Sequence, residues 1–143
     1  MRLALVLVVV TLAGIAHADD KTLKPYAGQV VLSMDAPSGN FNELPAFLKA
    51  NYDKSSHYEF MKWDINFVGV LAKPADKVTL IVTDPSAKPP TQLISIELAS
   101  SRQVVIGHFK PTTTAGFAAG KTYAVTLVAG KATVAKAELA LRE

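Results

Sequence analysis

The sequence predicts an all-β fold: a single antiparallel β-sandwich of about seven short strands, with one short helix after the first strand. Three observations carry this expectation. Residues 58–71 (YEFMKWDINFVGVL) alternate, with Met61, Trp63, Ile65, Phe67 and Leu71 on one face and Lys62, Asp64 and Asn66 on the other. A period of two marks a strand, because successive side chains point to opposite faces of a sheet. Further alternating stretches follow at short spacing, divided by Gly, Pro, Asp and Ser turn signals. Only one segment has helical spacing. Trp63 is the single tryptophan and has the largest apolar surface to hide, so the strand over 58–71 is expected centrally, its Trp face in the middle of the core.

The chain has 143 residues. After Arg2, residues 3–15 (LALVLVVVTLAGI) form an apolar run, and Ala16-His17-Ala18 is an A-x-A cleavage site followed by Asp19 and Asp20. This is the pattern of a secretory signal peptide, and the run is short for a membrane span. Ile15 stands where a lipoprotein signal would carry its cysteine. A cleaved leader (1–18) and a soluble exported domain (19–143) are expected, with nothing left to integrate into a membrane. A domain of that length buries roughly two-thirds of its unfolded surface. The chain contains no cysteine. That excludes thiol chemistry and thiolate zinc sites, and it favours a bacterial periplasm over an animal extracellular space, where small domains lean on disulfides. The formal net charge of +3 is spread over interspersed charges with no basic cluster, which argues against nucleic-acid binding.

Residues 28–34 (GQVVLSM) read as the first strand and 35–39 (DAPSG) as a turn. Residues 41–52 (FNELPAFLKANY) place Leu44, Phe47 and Leu48 on one helical face. Asn42 is the expected N-cap, and Pro45 falls in the first turn, where its missing N–H removes no intrahelical bond. The helix is expected over an open end of the sheet. Residues 53–57 form a polar loop into the central strand. A turn is expected around Lys73-Pro74-Ala75-Asp76. The next strand, 77–83, puts Val78, Leu80 and Val82 on one face. Residues 84–90 (DPSAKPP) cannot continue a ladder. Strands at 92–98 and 102–109 follow, with Ser100-Ser101 as the break of a hairpin between them. After a loop at 110–119, residues 122–128 place Tyr123, Val125 and Leu127 on one face. Gly130 supplies a turn residue able to take positive φ, and 132–141 completes the last hairpin, Thr133 and Val134 favouring strand over helix in an alanine-rich stretch.

Residues 117–127 (FAAGKTYAVTL) resemble the approach to the penultimate strand of immunoglobulin-like and fibronectin type III-like sandwiches. In those folds a Gly-containing corner precedes a Tyr, an alternating strand and a closing hairpin. Trp63 resembles the core Trp of the same superfamily. The helix at 42–52 and the absence of a disulfide pair depart from the pattern. The resemblance concerns fold, and it implies that binding and scaffolding are commoner roles than catalysis.

Outside the leader the histidines are His57 and His108. His57 lies near Asp53 and Glu59, a carboxylate–imidazole set of the kind metals use, but the spacing fits no ordered motif. It reads as an exposed loop histidine, and His108 as an outer-face strand residue. There is no Gly-x-Ser-x-Gly, and Ser55-Ser56 beside His57 supplies no nucleophile elbow. No glycine loop is built to cradle phosphate. Glu59 and Asp64 fall on opposite faces of one strand. No catalytic residue, metal or cofactor is therefore expected. The outward residues Tyr58, Phe60, Lys62, Asp64 and Asn66 mix two aromatics with hydrogen-bonding groups, a platform for a peptide or a sugar ring, unless the helix over 44–48 packs on Tyr58 and Phe60. The expected function is that of a non-enzymatic periplasmic or secreted accessory domain that binds another protein through an edge strand or an outer sheet face. The alternatives are a carbohydrate-binding module using Tyr58 and Phe60, and a metal-assisted hydrolase centred on His57.

Overall fold

The structure, a computed structural model, describes residues 20–38 and 40–143; the leader read in residues 1–18 lies outside them, as do Asp19 and Gly39. Helix α1 (Asp20–Leu23) runs into a 3-10 turn and then strand β1 (Gln29–Ser33). A second 3-10 turn (Phe41–Glu43) leads into helix α2 (Leu44–Asn51). Strands β2 (His57–Phe60), β3 (Ile65–Asp84), β4 (Thr91–Phe109), β5 (Thr122–Ala129) and β6 (Ala132–Leu141) complete the described chain. The all-β expectation holds. Among the described residues, no helix is long and apolar enough to cross a membrane.

Among the described residues six strands replace the expected seven, for two reasons. The segment 58–71 is not one strand: it bends at residues 61–64, so that β2 and β3 join different neighbours. Conversely, β3 and β4 are each single strands of 20 and 19 residues where pairs of short strands were expected. They form one long hairpin, paired from Ile65↔Phe109 to Asp84↔Thr91. The expected turn at Lys73-Pro74 and the expected break at Ser100-Ser101 face each other across its middle. The register shifts there, between Val70 and Ala75 and again before Lys77, and it shifts a third time between Val82 and Thr83, where Leu93 is an extra residue on β4. Pro74 is tolerated because a bulge needs no ladder bond from it, and Ser100 Oγ donates across to the carbonyl of Ala75.

The bulge lets one strand serve two parts of the sheet. The first half of β3 pairs with β1 (Gln29↔Val70 to Ser33↔Asn66), and its second half pairs with β5 (Thr79↔Val128 to Thr83↔Ala124). β5 pairs with β6, and β6 returns to β1 through a parallel bridge, Gln29↔Lys136. Four strands thus close a ring, β1–β3–β5–β6. β2 adds to β6 in parallel, and β4 adds to β3 along its whole length. Pairing is mainly antiparallel, with the two parallel contacts both made by β6.

The ring encloses the larger core. Leu80, Val82, Val125, Leu127, Tyr123 and Leu139 are fully buried there, and the inward faces expected for 77–83 and 122–128 are the observed ones. Gly69 also points inward, where an added Cβ would lie 2.2 Å from Leu127 Cδ1; the opposing leucine fills the space that a side chain would need. A smaller core lies on the other face. Leu44 and Leu48 of α2, with Leu23, pack on Val31, Val68, Val70 and Val104. The helix therefore covers a sheet face rather than an open end. Its entry also differs from expectation. Asn40 Oδ1 accepts the Asn42 N–H at 3.0 Å and the Asn40 carbonyl accepts Glu43 N–H, so the cap position falls to Glu43, with Pro45 in the first turn as expected.

At the far end of β3, Asp84 organises the hairpin loop. Its carboxylate accepts the Ser86 N–H at 3.0 Å and hydroxyl at 2.6 Å, and it pairs with Lys121 at the entry to β5. The Lys121 ammonium and Ser86 hold the Asp84 carboxyl down to about 2.

Candidate functional site

The aromatic platform expected from the sequence is not on the surface. Tyr58 and Phe60 are 7 % and 6 % exposed and belong to the larger core, not to the face under α2. The bend at residues 61–64 reverses the phase of alternation. Inward positions are even-numbered on β2 (Tyr58, Phe60) and odd-numbered at the start of β3 (Ile65, Phe67). Met61, expected inward, is 72 % exposed. Trp63 is half-buried in the bend rather than central, its indole N–H donating to the Arg142 carbonyl at 3.1 Å. Burial pushes the Tyr58 phenol up, and its oxygen accepts the Asp53 N–H. Lys62 is exposed. Asp64 pairs with His108, and Asn66 donates to the Met34 carbonyl at 3.3 Å. The five expected site residues are thus divided among β2, the bend and β3, and the two aromatics the platform needed are enclosed.

His57 is the first residue of β2, not a loop residue. Its Nδ1 lies 2.6 Å from Glu138 Oε1 on β6 and its Nε2 3.4 Å from Glu59 Oε2, while Arg142 donates to the same Glu59 oxygen at 3.2 Å. Asp53 stays apart, its carboxylate accepting the N–H and hydroxyl of Ser55. The two carboxylates approach opposite nitrogens of one ring, so they cannot converge on a metal with it. Among the described residues, no group of three or more His, Cys, Asp or Glu side chains is placed to hold a metal ion. No serine stands against His57 either: Ser56, held at φ 60°, directs its hydroxyl to Gln29 Oε1.

This arrangement is a clamp between β2 and β6. The Glu138 carboxylate, helped by Glu59, raises the His57 pKa above its ordinary 6.5 against the opposing effect of burial. A raised pKa means that the clamp contributes fully below pH 6.5 and is lost as pH rises through the folded-state value. The melting-temperature difference between wild type and His57→Gln is therefore expected to be larger at about pH 5.5 than at about pH 8. The side chain is one-third exposed, so the effect is small; an equal difference at both pH values would remove the clamp from the account.

Two shallow grooves lie on the surface of the described residues. One, of about 380 Å³, lies over β5 and β6 beside Ser55, Ser56, Lys136 and Glu138. The other, of about 410 Å³, lies between α1 and the middle of the long hairpin, with Lys21 and Lys24 at its rim. Neither sets a hydroxyl against a histidine nitrogen.

The feature that stands out is the edge of β4. This strand pairs with β3 alone, and no backbone hydrogen bond links it to any other described segment. In its second half Ser100, Ser101, Val104 and Val105 are buried, while His108 is exposed. Residues 91–97 (TQLISIE) are not: all are exposed except the half-buried Leu93 and Ile94. Ile94 and Ile96 lie opposite Val82 and Leu80 of β3, both fully buried. The core-facing row of the sheet therefore runs on past the ring onto an uncovered strand, and Ile96 is 38 % exposed. The stretch has no Pro, Gly or Lys and one charge, Glu97, which pairs with Lys77 at 3.7 Å. Exposed edges usually carry such residues, or a bulge, to limit pairing; here the device present is a bulge at Leu93.

The expected hairpin between 92–98 and 102–109 had concealed this edge by pairing its halves with each other. The signal against that hairpin is present: residues 91–106 contain no Gly, Pro, Asn or Asp, and Ser-Ser alone is a weak turn former.

Comparison with known proteins found no matching family model, no matching curated protein and no matching solved structure.

Proposed function

We propose that this is a non-enzymatic exported accessory domain that binds a polypeptide by strand addition along residues 91–97. The observation that carries the reading is the uncovered edge of β4, where an open backbone coincides with an apolar row. In strand addition the main chain supplies affinity and alternate side chains supply specificity. Seven residues make an ordinary strand length for such pairing. Export, to the periplasm or beyond, rests on the leader pattern in residues 1–18. A display role also fits the immunoglobulin-like reading of residues 117–127. In support, the Tyr123 hydroxyl reaches back to the backbone of Ala118, the kind of corner bond such sandwiches use.

The test compares wild type with Ile96→Lys as immobilised baits for an envelope extract, after thermal melts establish that both are folded. A protein retained by wild type and lost by the variant supports strand addition. Equal retention by both baits, or retention of polysaccharide in place of protein, would overturn it.

A further inference from the structure

We infer that the groove between α1 and the middle of the long hairpin binds a small organic anion, a carboxylate carried on a short aliphatic chain. The groove shares no residue with the edge at 91–97, and the inference does not depend on strand addition.

The groove opens where the ladder is interrupted. Val70 pairs with Val104 and Ala75 with Arg102, so four β3 residues, 71–74, stand against Gln103 alone. Bulges re-aim side chains, and they recur beside functional sites. Here Gln103 is the side chain so placed, and it lines the groove together with Leu71 and Ala72. The opposite wall is fixed to the fold. Leu23 of α1 is anchored in the smaller core, and the Gly28 N–H, just beyond the wall, donates to the Val70 carbonyl at 2.7 Å. A cleft of about 410 Å³ is therefore built into the folded chain, in the size range of small-ligand sites.

Gln103 is the group that folding does not account for. Its Oε1 is enclosed without a hydrogen-bond partner. Its Nε2 has no partner among the described residues either, but it is not enclosed. Buried polar groups are normally satisfied, so an amide idle at both ends points to a partner outside the chain. The open end is a donor. Lys21 and Lys24, exposed at the rim, add two ammonium groups, and neither has an ion-pair partner among the described side chains. No Asp or Glu lines the groove to compete for them. Three donors of this kind select an anion, and hydrogen bonds from ammonium to carboxylate are the strong, charge-assisted class. The rest of the lining is apolar, with Leu23, Val70, Leu71 and Ala72 beneath the charged rim. Such a floor gains from a hydrocarbon tail and gains nothing from a bare inorganic ion.

The test is a chemical-shift titration of the purified, 15N-labelled protein with hexanoate, run beside hexylamine (the same tail, opposite charge) and inorganic phosphate (an anion without a tail). Hexanoate is expected to shift the amides of residues 21–27, 70–72 and 103 saturably, while those of 91–97 and of β6 stay in place. Butanoate is expected to bind several-fold more weakly, each fully buried methylene being worth up to about fourfold. Lys21→Glu/Lys24→Glu, shown by its melt to be folded, is expected to lose ~10-fold or more in hexanoate affinity. Gln103→Met separates a ligand role from a structural one. It removes the idle amide, so it is expected to melt no lower than wild type and yet to bind hexanoate several-fold more weakly. The inference is overturned if no saturable shifts occur in the groove, or if hexylamine or phosphate binds there as well as hexanoate. A folded double-lysine variant that binds hexanoate as tightly as wild type also overturns it. So does a Gln103→Met that melts lower and binds unchanged, since the glutamine would then belong to the fold alone.

Discussion

Phe67→Ala is expected to lower stability by about 3–5 kcal/mol, among the largest single-residue losses in the chain. Phe67 is fully buried at the point where the ring and the long hairpin meet. Its neighbours in register are Leu32 on β1 and Gly107 on β4, and its ring packs tilted against Phe109 at 6.1 Å between centroids. The phenyl group lies over Gly107, where an added Cβ would sit 2.5 Å from Cζ and 2.6 Å from Cε1. The glycine and the ring thus fill one space between them. Gly107→Ala in the wild-type background forces that ring to move and should cost about 1–3 kcal/mol. In a Phe67→Leu background the contact atoms are gone, and the same methyl group fills part of the void. A double-mutant cycle by urea unfolding is therefore expected to show a favourable coupling of about 1 kcal/mol or more. Additive losses would show that Gly107 is present for some reason other than this ring.

What the sequence made legible follows from how far each signal reaches. Period-two alternation reports a local conformation, and it placed Val78, Leu80, Val82, Tyr123, Val125 and Leu127 on their observed faces. The last hairpin was readable for the same reason, with Gly130 at φ 63° in its turn. Alternation does not report phase across a bend. Residues 58–60 and 65–71 alternate, but the four residues between them redirect the chain from β6 to β1 and β4. The inward set therefore changed parity, and Tyr58 and Phe60 passed from expected surface to core. Prolines and serines misled in the opposite direction. Pro74 and Ser100-Ser101 looked like ends of strands, yet a bulge on one strand facing a continuous partner absorbs both. The ring itself depends on a bridge between Gln29 and Lys136, a contact across most of the chain that no local pattern encodes. The candidate edge was missed with it, since an edge is defined by which strands fail to arrive.

Tyr123→Ala is expected to cost about 3–5 kcal/mol, and Tyr123→Phe about 1–2 kcal/mol. The two substitutions separate two roles of one side chain. The ring is fully buried and meets Phe117 edge-on at 4.8 Å between centroids. Through Phe117 it closes the ring interior beneath the 110–119 loop, whose own turns run back to Thr112 and Thr113. The hydroxyl accepts the Ala118 N–H at 2.8 Å, so removing it leaves a partly buried amide without its partner. Removing the ring also leaves a cavity, which explains the larger loss. The loop is not isolated from the candidate edge, because a Cβ added at Gly116 would lie 3.0 Å from Leu93 Cδ2. Leu93 is thereby held from the loop side while its neighbours at 91–97 stay uncovered. Tyr123→Phe should consequently speed hydrogen exchange at Ala118 first, with a weaker effect at Leu93 and none in β6. If Tyr123→Phe matches Tyr123→Ala in unfolding free energy, the corner bond rather than the ring holds the loop. If it costs nothing, the Ala118 amide has another acceptor and the loop is fixed by Phe117 packing alone.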